Sequence, residues 1–173
     1  SFAALSANTT YYLQLRALNH AGLATSWVPL GSTSTLANEP ASLTFNTVAP
    51  TQSAIRLDWS GGGNGLGTIY TALISTAANP SAPAGAVVTS SVTYNTYVST
   101  AGLNSNTTYY FSVKATNNNG IATTYTSVVA TATLASQPAS LTFNTVPPTA
   151  STIRLDWSGG SNGPGTIYTA LMS

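Results

Sequence analysis

The sequence contains no cysteine and almost no charge: four Lys or Arg, three Asp or Glu and one His among 173 residues, giving 4% charged residues and a formal net charge of +1. A globular chain ordinarily carries about 25% charged residues, so each missing ion removes a class of function. Without cysteine there is no disulfide, no thiolate zinc site and no thiol nucleophile. Four basic side chains are too few to neutralise a phosphate backbone, which excludes a nucleic-acid binder. Three acidic side chains leave nothing for a calcium cage or a general acid–base pair. Long apolar runs are missing too, none approaching the roughly 18 residues of a membrane span. The opening SFAALSANTTYY lacks the basic start of a signal peptide. Disorder is disfavoured, because 43% of residues are hydrophobic and disordered chains combine low hydrophobicity with high net charge. The expectation is a soluble β-rich chain whose polarity comes from Ser, Thr, Asn and Gly.

The most informative feature present is a repeat. LSANTTYY at Leu5 returns as LNSNTTYY at Leu103, PASLTFNTV at Pro40 returns at Pro138, and IRLDWSGG at Ile55 returns at Ile153, always after 98 residues. No insertion or deletion breaks the register, and 47 of the 75 overlapping positions are identical. That identity sorts positions by constraint. Leu5/Leu103, Tyr11/Tyr109, Ala17/Ala115, Asn19/Asn117, Gly22/Gly120, Leu57/Leu155 and Trp59/Trp157 are kept and read as core or turn. Gln14/Ser112, His20/Asn118, Ala21/Asn119 and Gln52/Ala150 vary and read as exposed.

Alternation with period two runs through the segments between glycines and prolines. In SAIRLDWS, Ile55, Leu57 and Trp59 share one face and Arg56 and Asp58 the other, the pattern of a half-buried strand. TTYYFSVKATN places Tyr109, Phe111, Val113 and Ala115 inward and Tyr110, Ser112, Lys114 and Thr116 outward by the same rule. SGGGNGLG at Ser60 to Gly67, ANPSAPAG at Ala78 to Gly85 and NNNG at Asn117 to Gly120 read as turns. Short strands spaced in this way predict an all-β sandwich.

Leu103, Thr107, Tyr109, Val113, Ala115, Asn117 and Gly120 match the pattern L-x-P-x-T-x-Y-x-x-x-V-x-A-x-N-x-x-G, with Ser105 in place of its proline. Leu5, Thr9, Tyr11, Leu15, Ala17, Asn19 and Gly22 match it again, with Ala7 at the proline position. Together with Pro40, Leu43 and the I-x-L-x-W of Ile55, Leu57 and Trp59, these residues make the chain resemble tandem fibronectin type III repeats. The resemblance implies all-β, immunoglobulin-like sandwiches in tandem, one complete and two partial. Residues 1–37 would supply the end of strand E with F and G, residues 38–135 a whole domain, and residues 136–173 strands A, B and most of C. It also implies a structural core of Trp59, Trp157, Leu57, Leu155, Tyr11 and Tyr109, with Tyr109 forming a corner at the start of strand F. The junctions TLANEPASL and TLASQPASL have no spare residues, which favours a semi-rigid rod.

No residue recurs in a pattern that points to catalysis, a cofactor or a metal. Arg56 with Asp58, and Arg154 with Asp156, read either as exposed charge pairs that keep an outer sheet face wet or as assembly contacts, for which the outward Tyr12 and Tyr110 are also candidates. The single His20 has Asn118 as its counterpart, so it reads as a variable loop residue. The glycine-rich stretch lacks the spacing of a phosphate loop and reads as the B–C turn. Asn8 and Asn106 begin N-T-T sequons, glycan acceptors in a secreted eukaryotic chain and plain turn chemistry in a bacterial one. The adhesive Arg-Gly-Asp carried by some fibronectin-like domains is absent. Expected partners are copies of the chain itself, as tandem neighbours or lateral contacts, in an extracellular or cell-surface structural protein that forms a fibre, sheath or stalk. The alternative is a spacer or adhesion module of a large surface protein or of a secreted polysaccharide-degrading enzyme, and no residue pattern supports a glycan or surface ligand. Completion of the first partial domain by the third of another molecule would lack equivalents of residues 76–98.

Overall fold

The computed structural model describes residues 1–45, 47–80, 87–143 and 145–173, and these contain strands but no helix. Most of the turn expected at Ala78 to Gly85 lies outside the described residues.

Apolar residues at alternate positions make a strand with one dry face, and the central unit is built of seven strands, of which those at 54–60, 69–75 and 108–116 carry this pattern most fully. β3 (Ala41–Thr44), β4 (Ala54–Ser60) and β7 (Tyr97–Ala101) form one sheet in the order β3-β4-β7. β5 (Ile69–Ser75), β6 (Val87–Thr93), β8 (Thr108–Thr116) and β9 (Val129–Ala132) form the second in the order β6-β5-β8-β9. All pairings are antiparallel. The inner faces meet in one core: Ile55, Leu57 and Trp59 from β4 oppose Tyr70, Ala72 and Ile74 from β5 and Tyr109, Phe111, Val113 and Ala115 from β8. Complete burial of each large aliphatic contributes about 1.5–3 kcal/mol. Edge-to-face pairs, Trp59 on Tyr70 at 5.6 Å and Phe45 on Phe111 at 5.2 Å, add about 0.5–1.5 kcal/mol each. At the start of β8 the Asn104 N–H donates to the Tyr109 hydroxyl at 2.9 Å, closing the corner. In β8 the alternation breaks at one place, since Ser112 is buried rather than outward and its hydroxyl has no partner among the described residues. It pairs with Leu73 of β5, one residue past the end of the β8–β9 ladder at Phe111 and Val129.

On either side of this unit stand two hairpin-like pairs. β1 (Thr10–Leu15) pairs with β2 (Val28–Ser34), and β10 (Ala139–Phe143) pairs with β11 (Leu155–Ser158). They are the counterparts of β8–β9 and of β3–β4. The Ser6 N–H donates to the Tyr11 hydroxyl at 2.9 Å, so the tyrosine corner recurs. The strand ends expected before β1 and after β11 are not formed. In the central unit β5 is held by ladders to both β6 and β8, and residues 167–173 have neither neighbour. The same lack of a covering sheet leaves Tyr11 and Leu155 half-buried. Trp157 is 42% exposed where Trp59 is 5%.

Candidate interface between repeats

Turn chemistry at the poles of the units brings them together. Asn8 and Asn106 have φ of 42° and 46°, a left-handed conformation that asparagine adopts more readily than most residues. It turns the chain just before β1 and before β8. At the first of these turns the side chain reaches into the next unit. The Asn8 Nδ2 donates to Thr68 Oγ1 at 2.6 Å, and its Oδ1 accepts from the Asn118 N–H at 2.7 Å. Beside it the Gly65 N–H donates to the Ala7 carbonyl at 2.9 Å. The loop between β8 and β9 closes the far side, where Asn117 Nδ2 donates to the Thr35 carbonyl at 3.0 Å and Asn119 Nδ2 to Thr33 Oγ1 at 3.0 Å. Asn8 is 0% exposed. Buried polar groups of this kind cost about 1–3 kcal/mol if left unpaired, so the bonds hold the two units in one relative position.

Two of these bonds recur 98 residues later. Asn106 Nδ2 donates to Thr166 Oγ1 at 2.6 Å, and the Gly163 N–H donates to the Ser105 carbonyl at 2.9 Å. The linker is braced by the same pair of bonds in both places. Asn64 accepts from the Asn38 N–H at 2.6 Å and donates to the Asn38 carbonyl at 2.9 Å, and Asn162 does the same to Ser136 at 2.6 and 2.9 Å.

The glycine-rich turn is therefore a docking loop as well as the connection between β4 and β5. A Cβ on Gly65 would lie 2.6 Å from the Asn8 carbonyl oxygen, and one on Gly163 would lie 2.8 Å from that of Asn106. Gly63 has open space around it, and the repeat places Ser161 there. Leu66 is 96% exposed and becomes Pro164. Identity between the copies thus marks the docking positions, a signal legible in the sequence and read there only as turn chemistry. One reading needs correction here: Asn8 does not stand out as a glycan acceptor, because its amide nitrogen is enclosed between units. The variable Asn118 and Asn119 are exposed as expected, and both also bond the preceding unit.

The remaining candidates lie elsewhere. Arg56 and Asp58 neutralise each other on the outer face of β4, with Nη2 to Oδ1 at 2.7 Å, and the guanidinium stacks 4.0 Å from the Tyr97 ring. Its bond to Arg56 holds the Asp58 carboxyl below the usual range and raises Arg56. Asp156 is likewise lowered, first by its bond from Thr145 and then by Arg154. Tyr12 is 81% exposed, while Tyr110 is half-buried. Among the described residues no cluster of His, Asp and Glu could hold a metal ion.

No protein-family model and no curated protein matches the chain. Among solved structures it is similar to the fn3 domain of the human collagen alpha-1(XX) chain, with 20% identity, TM-score 0.46, and coverage of 62% of this chain and 95% of that one. Domains d3–d4 of the rat CD45 extracellular region follow at 15% identity and TM-score 0.47, over 77% of this chain and 68% of that one. The chicken CNTN1 FN1–FN3 domains match at 14% identity and TM-score 0.44, over 76% of this chain but only 45% of theirs. The fold assignment stands on the strand orders β3-β4-β7 and β6-β5-β8-β9, the core tryptophan and the tyrosine corner: the central unit has the fibronectin type III fold.

Proposed function

We propose that the chain is a non-enzymatic structural segment of a long extracellular or cell-surface protein, in which successive fibronectin-like units dock into a stiff rod. The observation that carries this reading is the recurrence of the docking bonds at one repeat's spacing, Asn8 with Thr68 and Asn106 with Thr166, both 2.6 Å. A junction that repeats without change applies the same rotation and translation at every step, which is how tandem modules become a regular filament. A net charge of +1 supplies little repulsion against lateral packing of such rods. Small-angle scattering of the purified chain tests the first part. The expected profile is that of one elongated rigid body, and a broad ensemble of unit orientations would overturn it. Electron microscopy of the same material tests lateral assembly, with ordered filaments or sheets supporting it and monodisperse rods removing it.

A further inference from the structure

The sequence contains three Asn-Gly steps, Asn64–Gly65, Asn119–Gly120 and Asn162–Gly163, and all three lie in the loops that meet at repeat junctions. Asn-Gly is the dipeptide most open to deamidation, because glycine offers no side chain to shield its nitrogen. The deprotonated glycine nitrogen attacks the asparagine Cγ, a C–N bond forms, the bond to Nδ2 breaks and ammonia leaves. Water then opens the resulting succinimide at one of its two ring C–N bonds, giving aspartate or isoaspartate. The net reaction is amide plus water to acid plus ammonia, and no other reactant is needed.

At two of the steps the attacking nitrogen is occupied by the neighbouring repeat. The Gly65 N–H is held by the Ala7 carbonyl and the Gly163 N–H by the Ser105 carbonyl, both at 2.9 Å. The electrophile is held as well, by the two bonds from Asn64 to Asn38 and from Asn162 to Ser136. Gly120 differs, since its N–H donates to the Asn117 carbonyl inside its own loop. We propose that docking is what protects Asn64 and Asn162, and that both are modification sites which become reactive when a junction opens. The product cannot restore the brace. The donor that faced the Asn38 or Ser136 carbonyl becomes a carboxylate oxygen, and an isoaspartate lengthens the loop where Gly65 and Gly163 have no clearance. Deamidation would therefore fix an opened junction in the open state, and each event would add one negative charge to a chain whose net charge is only +1.

The test is incubation of the full chain at mildly alkaline pH, with each step followed by peptide mapping against a free GGGNGLG peptide. Asn8→Gly and Asn106→Gly each remove a clamp while preserving the left-handed turn. In the parent chain Asn64 and Asn162 should react more slowly than the peptide. Asn8→Gly should accelerate Asn64 about fivefold, the factor equivalent to a hydrogen bond of about 1 kcal/mol, and leave Asn162 unchanged. Asn106→Gly should accelerate Asn162 alone. Parent rates equal to the peptide's, unchanged rates in the variants, or equal acceleration of Asn64 and Asn162 by either variant would each overturn the proposal. It rests on the docked junction. Scattering from a flexible string would remove both readings, whereas a stiff chain with unprotected asparagines would remove this one alone.

Discussion

Asn8 shows how much one residue type can do in a chain nearly without ions. Its left-handed backbone makes the turn, and its amide supplies both a donor and an acceptor to the next unit. Aspartate could not donate there, and alanine would be strained at positive φ. The adjoining glycines divide by the same logic. Gly65→Ala places a methyl 2.6 Å from the Asn8 carbonyl oxygen and should open the first junction without lowering the melting midpoint of the central unit. Gly63→Ala meets open space and should leave the junction closed, at the modest cost of a positive φ. Scattering of the two variants checks the contrast: a similar particle length for both would remove Gly65 from the interface.

At the scale of elements, identical sequences have different fates because their covers differ. Trp59 on β4 is enclosed by β5 and β8, while Trp157 on β11 holds the same place in the repeat and touches Tyr168 at 5.9 Å in a half-open cleft. Trp59→Ala should cost about 3–5 kcal/mol and lower the thermal midpoint of the full chain sharply. Trp157→Ala should change that midpoint little. A comparable drop for both, measured by circular dichroism, would contradict the difference in enclosure. Alternation made β4 and β8 legible in advance, since Ile55, Leu57, Trp59, Tyr109, Phe111 and Val113 recur at every second position. It could not show that Ser112 is buried although it lies on the outward side of the alternation, nor that residues 167–173 lack the ladder partners a strand requires.

For the whole molecule, scarcity of charge has a direct consequence for acid stability. Asp58 and Asp156 are depressed in the folded state, mainly by bonds from Arg56 and from Thr145. A carboxylate of this kind adds stability that is fully present above its unfolded value, about pH 4. That contribution is lost as the pH falls through the folded values. The melting midpoint should be flat from neutral pH to about pH 4 and decline below it, with Asp58→Asn flattening part of the decline. A decline that begins near pH 6 would point to another group. The slope should be shallow, because solvent and salt screen ion pairs on an exposed sheet face.

The sequence by itself determined the repeat and its register, the alternating strands, the core aromatics of the central unit and the exclusion of chemistry that needs many ions. These follow from local rules, the period of a strand and the conformations open to glycine, asparagine and proline. Only the tertiary structure decided what the poles of each unit do. A loop of glycines, a sequon asparagine and two variable residues far apart in the chain look like separate turns when read in order. Folding carries the loop between β4 and β5 and the loop between β8 and β9 to one end of a unit, opposite the turn before β1. Hydrogen bonds act over a few ångströms and ignore sequence separation, so that end becomes an interface. The missing charge of the opening observation is replaced there by amides and hydroxyls, which dock one repeat on the next.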